Sequence, residues 1–253
     1  MAFAPIFQRP FSATFDRRAA VAGNGLLNNL IAYWKLDEAS GNRADSHTNG
    51  YTLTDDNTVT SAVGVIGNAA AFTATNYERL SIASNANLAA GDVAFTLAAW
   101  VNVAARTNGK YRRIVSKENS AVSARCYALF TDGDGAGAVR FSVYVGGTVK
   151  QASIAYPATG WHFFVGWHDA IADTVNLQMD NGSVASTATD GALQAASTAP
   201  FWIGGMPANP TNEITYWNSS IDEVGFWKRV LSADDRTALY NAGNGLAYTA
   251  FTT

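Results

Sequence analysis

Charged side chains are scarce in this sequence, and cations are scarcer than anions. Only 15% of the residues are charged, with 17 Lys and Arg against 20 Asp and Glu, which gives a formal net charge of -3 at pH 7. A protein that binds a nucleic-acid backbone needs a basic surface that neutralises phosphates. No basic stripe runs through the chain, so we expect no nucleic-acid partner.

The chain is also poor in cysteine and in long apolar runs. Its one cysteine, Cys126, lies in the apolar run CYALF and cannot form a disulfide within the chain. We expect it to be a small buried side chain. No stretch approaches the roughly 20 apolar residues that span a bilayer, so we expect no membrane span. The N-terminal residues lack the apolar core of a secretory signal, which predicts no export by that route.

What the chain does contain is apolar and aromatic material with the period of a β-strand. Hydrophobic residues make up 48% of the sequence and aromatic residues 12%. The run VRFSVYV (139–145) alternates between two faces, and TVNLQMD (174–180) does the same. One face of the first run carries Val139, Phe141, Val143 and Val145, and the other carries Arg140, Ser142 and Tyr144. Turn signals at Gly146-Gly147 and Asp180-Asn181-Gly182 follow these runs and predict tight hairpins.

About a dozen such runs follow one another at short spacing, and one late segment is typical of a helix. Ser232 is a favourable N-cap, Asp234 and Asp235 fall in the first turn, and Gly243 or Gly245 can end the helix. Many strands without alternating helices indicate an antiparallel sandwich. We therefore predict an all-β, two-sheet antiparallel jelly roll with one short C-terminal helix.

The first 28 residues differ from the rest. Two prolines, Pro5 and Pro10, favour extended backbone. The apolar side chains of this segment are Phe3, Ile6, Phe7, Phe11 and Phe15, and they need a partner surface. We predict that residues 1–28 form an extended N-terminal arm that binds another protein subunit, either a copy of this chain or a capsid or tail protein. Residues 29–253 are then the jelly-roll domain.

Six motifs of that domain occur in a familiar order. They are AYWKLDEASGNRADSHTNGYTL (32–53), FTLAAWVNV (95–103), IVSKENS (114–120), WHFFVGWHDAIADTVNLQMDNGSVAST (161–187), FWIGGM (201–206) and IDEVGFWKRVLSADD (221–235). Together they resemble the laminin-G-like jelly rolls of the concanavalin A-like lectin and glucanase superfamily. The resemblance covers about residues 30 to 245. It implies two antiparallel sheets of six or seven strands, with the first and last strands adjacent.

The resemblance also bears on catalysis. Laminarinase-type glucanases of this superfamily carry the pattern Glu-x-Asp-x-x-Glu, and retaining glycoside hydrolysis needs two carboxyl groups about 5 Å apart. This chain has no such pattern, and its glutamates are scattered: Glu38, Glu78, Glu118, Glu213 and Glu223. Neighbours such as Asp222 and Glu223 are expected to point to opposite faces of a strand. We therefore predict that the protein is not an enzyme.

A calcium ion often ties the first strand region to the last in this superfamily. By the resemblance, its ligands here are Asp222 and, in the loop DSHTNG, Asp45 and Asn49. Calcium takes six to eight oxygen ligands, which carboxylates and turn carbonyls supply. The alternative is that Asp222 only accepts backbone N–H groups in a tight sheet corner. Both interpretations stay open on the sequence alone.

Carbohydrate binding needs exposed aromatic side chains on the sheet or its loops. The stretch NEITYWNSS is polar, so its aromatic residues Tyr216 and Trp217 are the best candidates for an exposed pair. A jelly-roll core also consumes large aromatic residues. Core packing therefore remains the alternative for these two side chains.

Three functions are compatible with these features. The main hypothesis is a non-catalytic structural protein on a phage particle, a capsid decoration or appendage anchored by the arm, made in the host cytoplasm and located in the virion. The arm and the lack of an export signal favour it. The second hypothesis is an extracellular, lectin-like module that binds surface glycans. The third, a glycan-cleaving enzyme, is disfavoured by the missing carboxylate pattern.

Overall fold

The computed structural model describes residues 25–119, 125–194, 198–206 and 213–253. Fifteen β-strands and one α-helix lie within these ranges. In chain order the strands are β1 (Leu30–Trp34), β2 (Thr54–Asp56), β3 (Thr60–Val63), β4 (Asn68–Ala71), β5 (Arg79–Ile82), β6 (Phe95–Val103), β7 (Arg113–Lys117), β8 (Tyr127–Asp132), β9 (Ala138–Val145), β10 (Thr148–Ala155), β11 (Gly160–Asp169), β12 (Thr174–Met179), β13 (Ala185–Ala188), β14 (Phe201–Ile203) and β15 (Ser220–Trp227). The helix, α1, is Ala233–Tyr240.

The strands form two sheets. The eight-stranded sheet has the order β13-β12-β11-β6-β15-β4-β3, with β1 also paired to β15, and the seven-stranded sheet has the order β10-β9-β8-β7-β14-β5-β2. All of these strand pairs are antiparallel. The predicted antiparallel sandwich is confirmed, and so is the adjacency of the first and last strands, β1 and β15.

The main core lies between the two sheets. Alternate residues of β6 and β9, such as Leu97, Val101, Phe141 and Val143, point into it and are buried. This arrangement follows from the strand period of two, which sends every second side chain to the same face. Burial of one such large apolar side chain contributes about 1.5–3 kcal/mol, so the alternation read from the sequence accounts for the inward faces of both sheets.

The outer face of the eight-stranded sheet is covered by a second apolar layer. Trp100, Phe163 and Trp167 of this sheet pack with Leu239 of α1 and Phe251 beyond it. The helix begins with a reciprocal capping box, because the Ser232 hydroxyl accepts from the N–H of Asp235 and the Asp235 carboxylate accepts from the N–H of Ser232. It ends at Asn241, which adopts the left-handed conformation expected for Gly243 or Gly245.

The outer face of the seven-stranded sheet lacks such a cover within the described ranges. The α-helix and the C-terminal segment pack on the other sheet. Ser116, Ala128 and Ser142, at the centre of this face, are nevertheless at most 1% exposed, and the groove described below is lined by the larger side chains around them.

Several sequence predictions fall at or beyond the edge of the described residues. The arm side chains Phe3, Ile6, Phe7, Phe11 and Phe15 lie outside them. Residues 25–28 pack on the domain, since Leu26 is buried and the N–H of Leu27 donates to the carbonyl of Thr252. The division at residue 28 stays a prediction.

Cys126 is buried, as predicted. In the part of the chain that the structure describes, no helix combines the length and hydrophobicity of a membrane span.

Candidate functional site

Strand β15 contains a β-bulge at its acidic pair. The register between β15 and β6 shifts between Asp222 and Gly225, and Glu223 has a φ of 49°, a left-handed conformation that is uncommon for a residue other than glycine. Ile221 and Val224 both belong to the core between the sheets. In a regular strand, one residue separates two successive side chains that point into the core. Here two residues, Asp222 and Glu223, separate Ile221 from Val224. The expectation that Asp222 and Glu223 alternate across the sheet is therefore wrong, because the bulge adds a residue.

Asp222 is buried under the loop that joins β3 to β4. Its Oδ2 atom accepts the N–H groups of Val65, at 2.8 Å, and Ile66, at 3.1 Å. A Cβ at Gly64 would lie 2.5 Å from the same oxygen, so only glycine allows the loop to approach this closely. The second oxygen, Oδ1, is buried and has no hydrogen-bond partner in the described structure. Asp222 thus accepts backbone N–H groups and still has one oxygen unused.

Glu223 lies beside Asp222 in the same buried centre. Its two carboxylate oxygens are buried, and no group of the described residues bonds them with regular hydrogen-bond geometry, although the Tyr33 hydroxyl lies close enough to stabilise the carboxylate. Burial raises the pKa of Asp222 to about 7 and the pKa of Glu223 to about 8. The negative charge of Asp37 raises both pKa values further, and the charge of Asp222 also raises the pKa of Glu223. A hydrogen bond from Tyr33 and the positive charge of Lys35 lower the pKa of Glu223 in part. We call Asp222 and Glu223 the acidic pair.

The other two predicted calcium ligands have local partners of their own. The Oδ1 atom of Asp45 accepts the N–H groups of Tyr33 and His47, and its Oδ2 atom accepts the N–H of Tyr51. The side-chain amide of Asn49 donates to the carbonyl of Ile31 at 2.8 Å. Among the described residues, no three His, Cys, Asp or Glu side chains are grouped as metal ligands usually are. The calcium site, which includes Asn49 and carbonyls, stays a prediction.

Tyr216 and Trp217 are not exposed. Tyr216 is 0% exposed and Trp217 2%, and Trp217 belongs to the core between the sheets. The expectation of an exposed aromatic pair is therefore wrong. The physical reason is that a polar sequence context does not fix the direction of a side chain, and large aromatic surfaces lower the free energy most when they are buried.

The seven-stranded sheet instead presents rows of side chains on its outer face. Across β7 to β10, the first row contains Arg113, Phe130, Arg140 and Ser153. The second row contains Ser116, Ala128, Ser142 and Gln151. The third contains Tyr144 and Val149. The small side chains of the middle row are almost completely buried, and the larger side chains of the first and third rows, together with Gln151, line a groove.

The two walls of the groove are about 13 Å apart along β9, because four residues separate Arg140 from Tyr144 and a strand rises about 3.3 Å per residue. A guanidinium group lies over an aromatic ring in each wall. Arg113 is 4.7 Å from the centre of the Phe130 ring, and Arg125 is 5.7 Å from the centre of the Tyr144 ring. These are distances at which cations and rings attract each other.

Two of the three arginines in the groove form ion pairs. Arg113 pairs with the buried carboxylate of Glu118, and Arg140 pairs with Asp132 at 2.9 Å. For Arg125 the described part of the chain contains no acidic partner, and its Nε atom is buried without a hydrogen bond. The groove therefore combines two fixed arginines with one that has no counter-charge.

The groove encloses about 490 Å³ and is lined by aromatic, cationic and polar side chains, a size and composition typical of small-molecule sites. Sequence reasoning placed Arg140, Ser142 and Tyr144 on one face but gave that face no role. The signal was present: arginine and aromatic residues occupy outward positions in adjacent strands. It could not be recognised before the pairing of β7, β8, β9 and β10 was known.

Comparison with known proteins identifies the fold family. A family model described as the concanavalin A-like lectin/glucanases superfamily matches residues 72–235. Among curated proteins, no sequence matches the chain.

Solved structures with the same fold include several binding domains. The binding domain of Paraclostridial Mosquitocidal Protein 1 has a TM-score of 0.66 and 12% identity, over 85% of this chain and 52% of that domain. Domain 4 of AbnA, an extracellular arabinanase from Geobacillus stearothermophilus, was solved with arabinotriose. It has a TM-score of 0.59 and 15% identity, over 86% of this chain and 98% of that domain. The binding domain of Botulinum Neurotoxin DC, solved with SialylT, has a TM-score of 0.61 and 9% identity, over 85% of this chain and 52% of that domain.

The lengths of these matches differ. This chain spans about half of the mosquitocidal and neurotoxin binding domains and nearly all of the arabinanase domain. With such low identities, the likeness establishes the shared fold and leaves the ligand of this chain to its own residues.

Proposed function

The chain belongs to the concanavalin A-like lectin/glucanases superfamily, and from that membership we propose that it is a non-catalytic carbohydrate-binding module. The arabinanase domain was solved with arabinotriose and the neurotoxin domain with SialylT, which supports binding as the role of this chain too. The proposal agrees with the second of the three sequence hypotheses and departs from the main one.

The observation that carries this proposal is the groove on the seven-stranded sheet. It combines the rings of Phe130 and Tyr144 with the polar side chains of Arg140, Asp132 and Gln151. Sugars offer apolar C–H faces to aromatic rings and hydroxyl groups to polar side chains, and a groove about 13 Å between its walls is wide enough for an oligosaccharide. The side chains that bind are then those of β8, β9 and β10, and not Tyr216 or Trp217.

The carboxylates at the groove support binding without hydrolysis. Hydrolysis of a glycosidic bond needs one carboxyl that donates a proton and a second that attacks or activates water. Asp132 is paired with Arg140, and Glu118 is paired with Arg113 and completely buried. A carboxylate that is ion-paired with an arginine is better suited to positioning that arginine in the groove wall than to transferring a proton.

A glycan array followed by titration calorimetry tests the proposal. We expect the wild type to bind at least one class of oligosaccharide, and we expect Phe130→Ala and Tyr144→Ala each to weaken that binding about tenfold or more, which corresponds to about 1.4 kcal/mol. Ile171→Ala is the control, because Ile171 is 99% exposed and lies on the loop between β11 and β12 of the other sheet.

Two results would contradict the proposal. One is an array without any bound glycan, provided that the protein is folded as judged by circular dichroism. The other is a bound glycan whose affinity stays the same in both groove variants, since this result would place the binding site elsewhere on the domain.

Calcium at the acidic pair is a second, separate proposal. The buried Oδ1 of Asp222 and both carboxylate oxygens of Glu223 have no partner with regular hydrogen-bond geometry among the described residues, and calcium prefers such oxygen donors. A cation bound there would neutralise the pair and fix the β3–β4 loop to β15. Asp45 and Asn49 enter this ligand set only through the family resemblance, because their own hydrogen bonds serve the loop that contains them.

Thermal unfolding with calcium and with a chelator tests this second proposal. A ligand that binds only the folded state raises the free energy of unfolding by about 2.7 kcal/mol at one hundred times its Kd. We expect calcium to raise the Tm of the wild type and to leave the Tm of Asp222→Asn unchanged. An identical wild-type Tm under both conditions would rule the site out.

The virion hypothesis rests on the arm, most of which lies outside the described residues. A carbohydrate-binding module on a particle surface is compatible with the proposal above. Deleting residues 2–20 and measuring attachment or oligomeric state would test the arm: full assembly of the shortened protein would contradict its role.

A further inference from the structure

The groove is positively charged although the chain as a whole is negative. Arg113, Arg125 and Arg140 line it, together with one carboxylate, Asp132, and Glu118 lies behind Arg113. Three cations against these two anions leave an excess of one positive charge, whereas the whole chain has a net charge of -3. A local reversal of charge attracts and orients an anionic ligand.

Arg125 is the source of that excess. Arg113 and Arg140 are held by Glu118 and Asp132, so their charges are largely balanced. Arg125 has no acidic partner in the described ranges, and one of its nitrogens is buried without a hydrogen bond. A guanidinium group presents paired N–H donors that match the two oxygens of a carboxylate. One strong anion-binding group therefore has no anionic partner in the part of the chain that the structure describes.

The aromatic rings of the groove also favour an acidic sugar over a neutral one. A neutral sugar gains most from stacking on a bare ring face. Here Arg113 lies over Phe130 and Arg125 lies over Tyr144, so one face of each ring already contacts a cation. Arg113 donates its N–H groups to Glu118 and to the carbonyl of Tyr111, so Arg125 is the stacked guanidinium group that has no acidic partner among the described residues. The walls therefore present fixed hydrogen-bond donors together with partial ring surfaces.

On the premise that the groove binds carbohydrate, we propose that it selects glycans that carry a carboxylate, such as uronic or sialic acids, and that Arg125 contacts that carboxylate. Gln151 lines the groove at the β10 end of the rows and provides polar groups for the sugar hydroxyls. The paired carboxylates of Asp132 and Glu118 hold the other two arginines and set the shape of the walls.

Matched acidic and neutral sugars test the proposal on the wild type alone. The probes are trigalacturonate against its methyl ester, sialyllactose against lactose, and a sulfated oligosaccharide as a different anion. We expect at least one carboxylate sugar to bind about tenfold or more tightly than its neutral partner. We also expect that advantage to shrink as the salt concentration rises, because the contact is ionic.

Variants then assign the contact to Arg125. Arg125→Gln is expected to remove the advantage of the acidic sugar and to leave the neutral sugar unchanged, and Arg125→Lys to keep part of it, because a lysine retains the charge without the paired donors. Arg236→Gln is the matched control, since Arg236 lies over the ring of Trp167, at 4.5 Å, on the opposite sheet. It removes the same charge from a similar stack and should leave both affinities unchanged.

The outcomes separate this inference from the proposed function. Equal affinities for acidic and neutral sugars, with both lost in Phe130→Ala, would overturn the selectivity and leave carbohydrate binding intact. A sulfated sugar that binds more tightly than every carboxylate sugar would also overturn it. Absence of binding to any sugar would overturn the proposed function itself. If Arg125→Gln does not fold, the comparison of ester and acid on the wild type still decides the question.

Discussion

The outer faces of the two sheets differ in what covers them and in the polar groups that they contain. The eight-stranded sheet is covered by α1 and the C-terminal segment, and its polar centre is the buried acidic pair of Asp222 and Glu223, three of whose carboxylate oxygens have no hydrogen-bond partner among the described residues. The seven-stranded sheet has an open groove, and its polar centre consists of arginines, two of which are paired with carboxylates. In the eight-stranded sheet two carboxylates are buried without an ion pair among the described residues, and in the seven-stranded sheet two arginines are ion-paired with carboxylates.

This difference separates stability from binding. A buried carboxylate without a cation loses its hydration and takes up a proton at a higher pH, so its charge state is coupled to folding. A guanidinium group at the edge of an open groove keeps its charge and contacts solvent or ligand. The acidic pair is therefore expected to control how stability depends on pH and cations, and the groove to control which ligand binds.

The largest effect that we expect is the response of the acidic pair to pH. The pKa values of Asp222 and Glu223 rise to about 7 and about 8 in the folded protein, against roughly 4 in an unfolded chain. Between these values the folded state binds more protons than the unfolded state. The contribution of the acidic pair to the free energy of unfolding of the metal-free protein is therefore largest below about pH 4 and is lost as the pH rises to about 8, on the order of 4 kcal/mol for each carboxyl group.

Urea unfolding in a chelator from pH 4 to pH 9 measures this dependence. The double variant Asp222→Asn, Glu223→Gln should flatten it, whereas Arg125→Gln, on the other sheet, should leave the fall in place. A wild type whose stability is constant across this range would show that the acidic pair is ionised in the folded state.

The second largest effect that we expect follows from removing the cation of the buried ion pair between Arg113 and Glu118. In Arg113→Met, Glu118 becomes a buried carboxylate without its cation, as Glu223 is on the other sheet. Arg113 has a side chain that is 13% exposed and Glu118 is completely buried. Breaking such a pair from one side costs about 3–5 kcal/mol.

Unfolding of Arg113→Met at pH 7 measures this cost, and Arg113→Met with Glu118→Gln should recover part of it. The single variant should also acquire a fall in stability with rising pH, in the same direction as the acidic pair. A loss below about 1 kcal/mol would place Glu118 in a hydrated environment.

A smaller loss of stability is expected from substitutions in the β3–β4 loop, which packs near the acidic pair. Gly67 has a φ of 67° and a Cβ added there would lie 2.4 Å from the Oδ1 of Asp37, whereas Gly50 has a φ of 69° and open space around it. Gly50→Ala therefore measures the backbone cost alone, about 1–2 kcal/mol. Gly67→Ala adds a steric cost of about 1–3 kcal/mol. Equal losses in the two variants would mean that Asp37 moves aside freely.

The sequence was sufficient for the fold because the fold depends on local signals. Alternation in β9 and β12, the glycine and asparagine turns and the N-cap at Ser232 each act within a few residues. The motif order added the family and the adjacency of the first and last strands. These features predicted the two sheets and the helix, though not the extra edge strands such as β3, whose residues Thr60–Val63 show no apolar alternation.

The candidate sites were less predictable because they depend on cross-strand register. The bulge at Glu223 reversed the expected direction of a side chain, and no pattern in IDEVGFW indicates a left-handed residue there. The groove needs Arg113, Phe130 and Arg140 in one row, from strands whose pairing a single sequence does not specify. Tyr216 and Trp217 were misassigned because local polarity does not report where a segment packs.

The smallest effect concerns Lys35, a cation whose charge lowers the pKa of Glu223. Lys35 pairs with Asp37 at 3.0 Å, but its side chain is 44% exposed and that of Asp37 is 35% exposed. Solvent and salt screen such a pair, so Lys35→Met should lower the free energy of unfolding by about 0.5 kcal/mol or less. Urea unfolding at low and high salt measures the change, which should vanish at high salt.

Lys35→Met and Arg113→Met are a matched pair of changes, one in each sheet. Both changes remove a cation next to a carboxylate, yet we expect a several-fold larger loss in the seven-stranded sheet, because there the carboxylate is buried and forms no other ion pair with the described residues. The acidic pair lies too deep for Lys35 to neutralise it, so removal of Lys35 leaves its charge state nearly unchanged. A loss in Lys35→Met as large as that in Arg113→Met would mean that the acidic centre, like the groove, is held by a cation, and that the two sheets follow the same electrostatic rule.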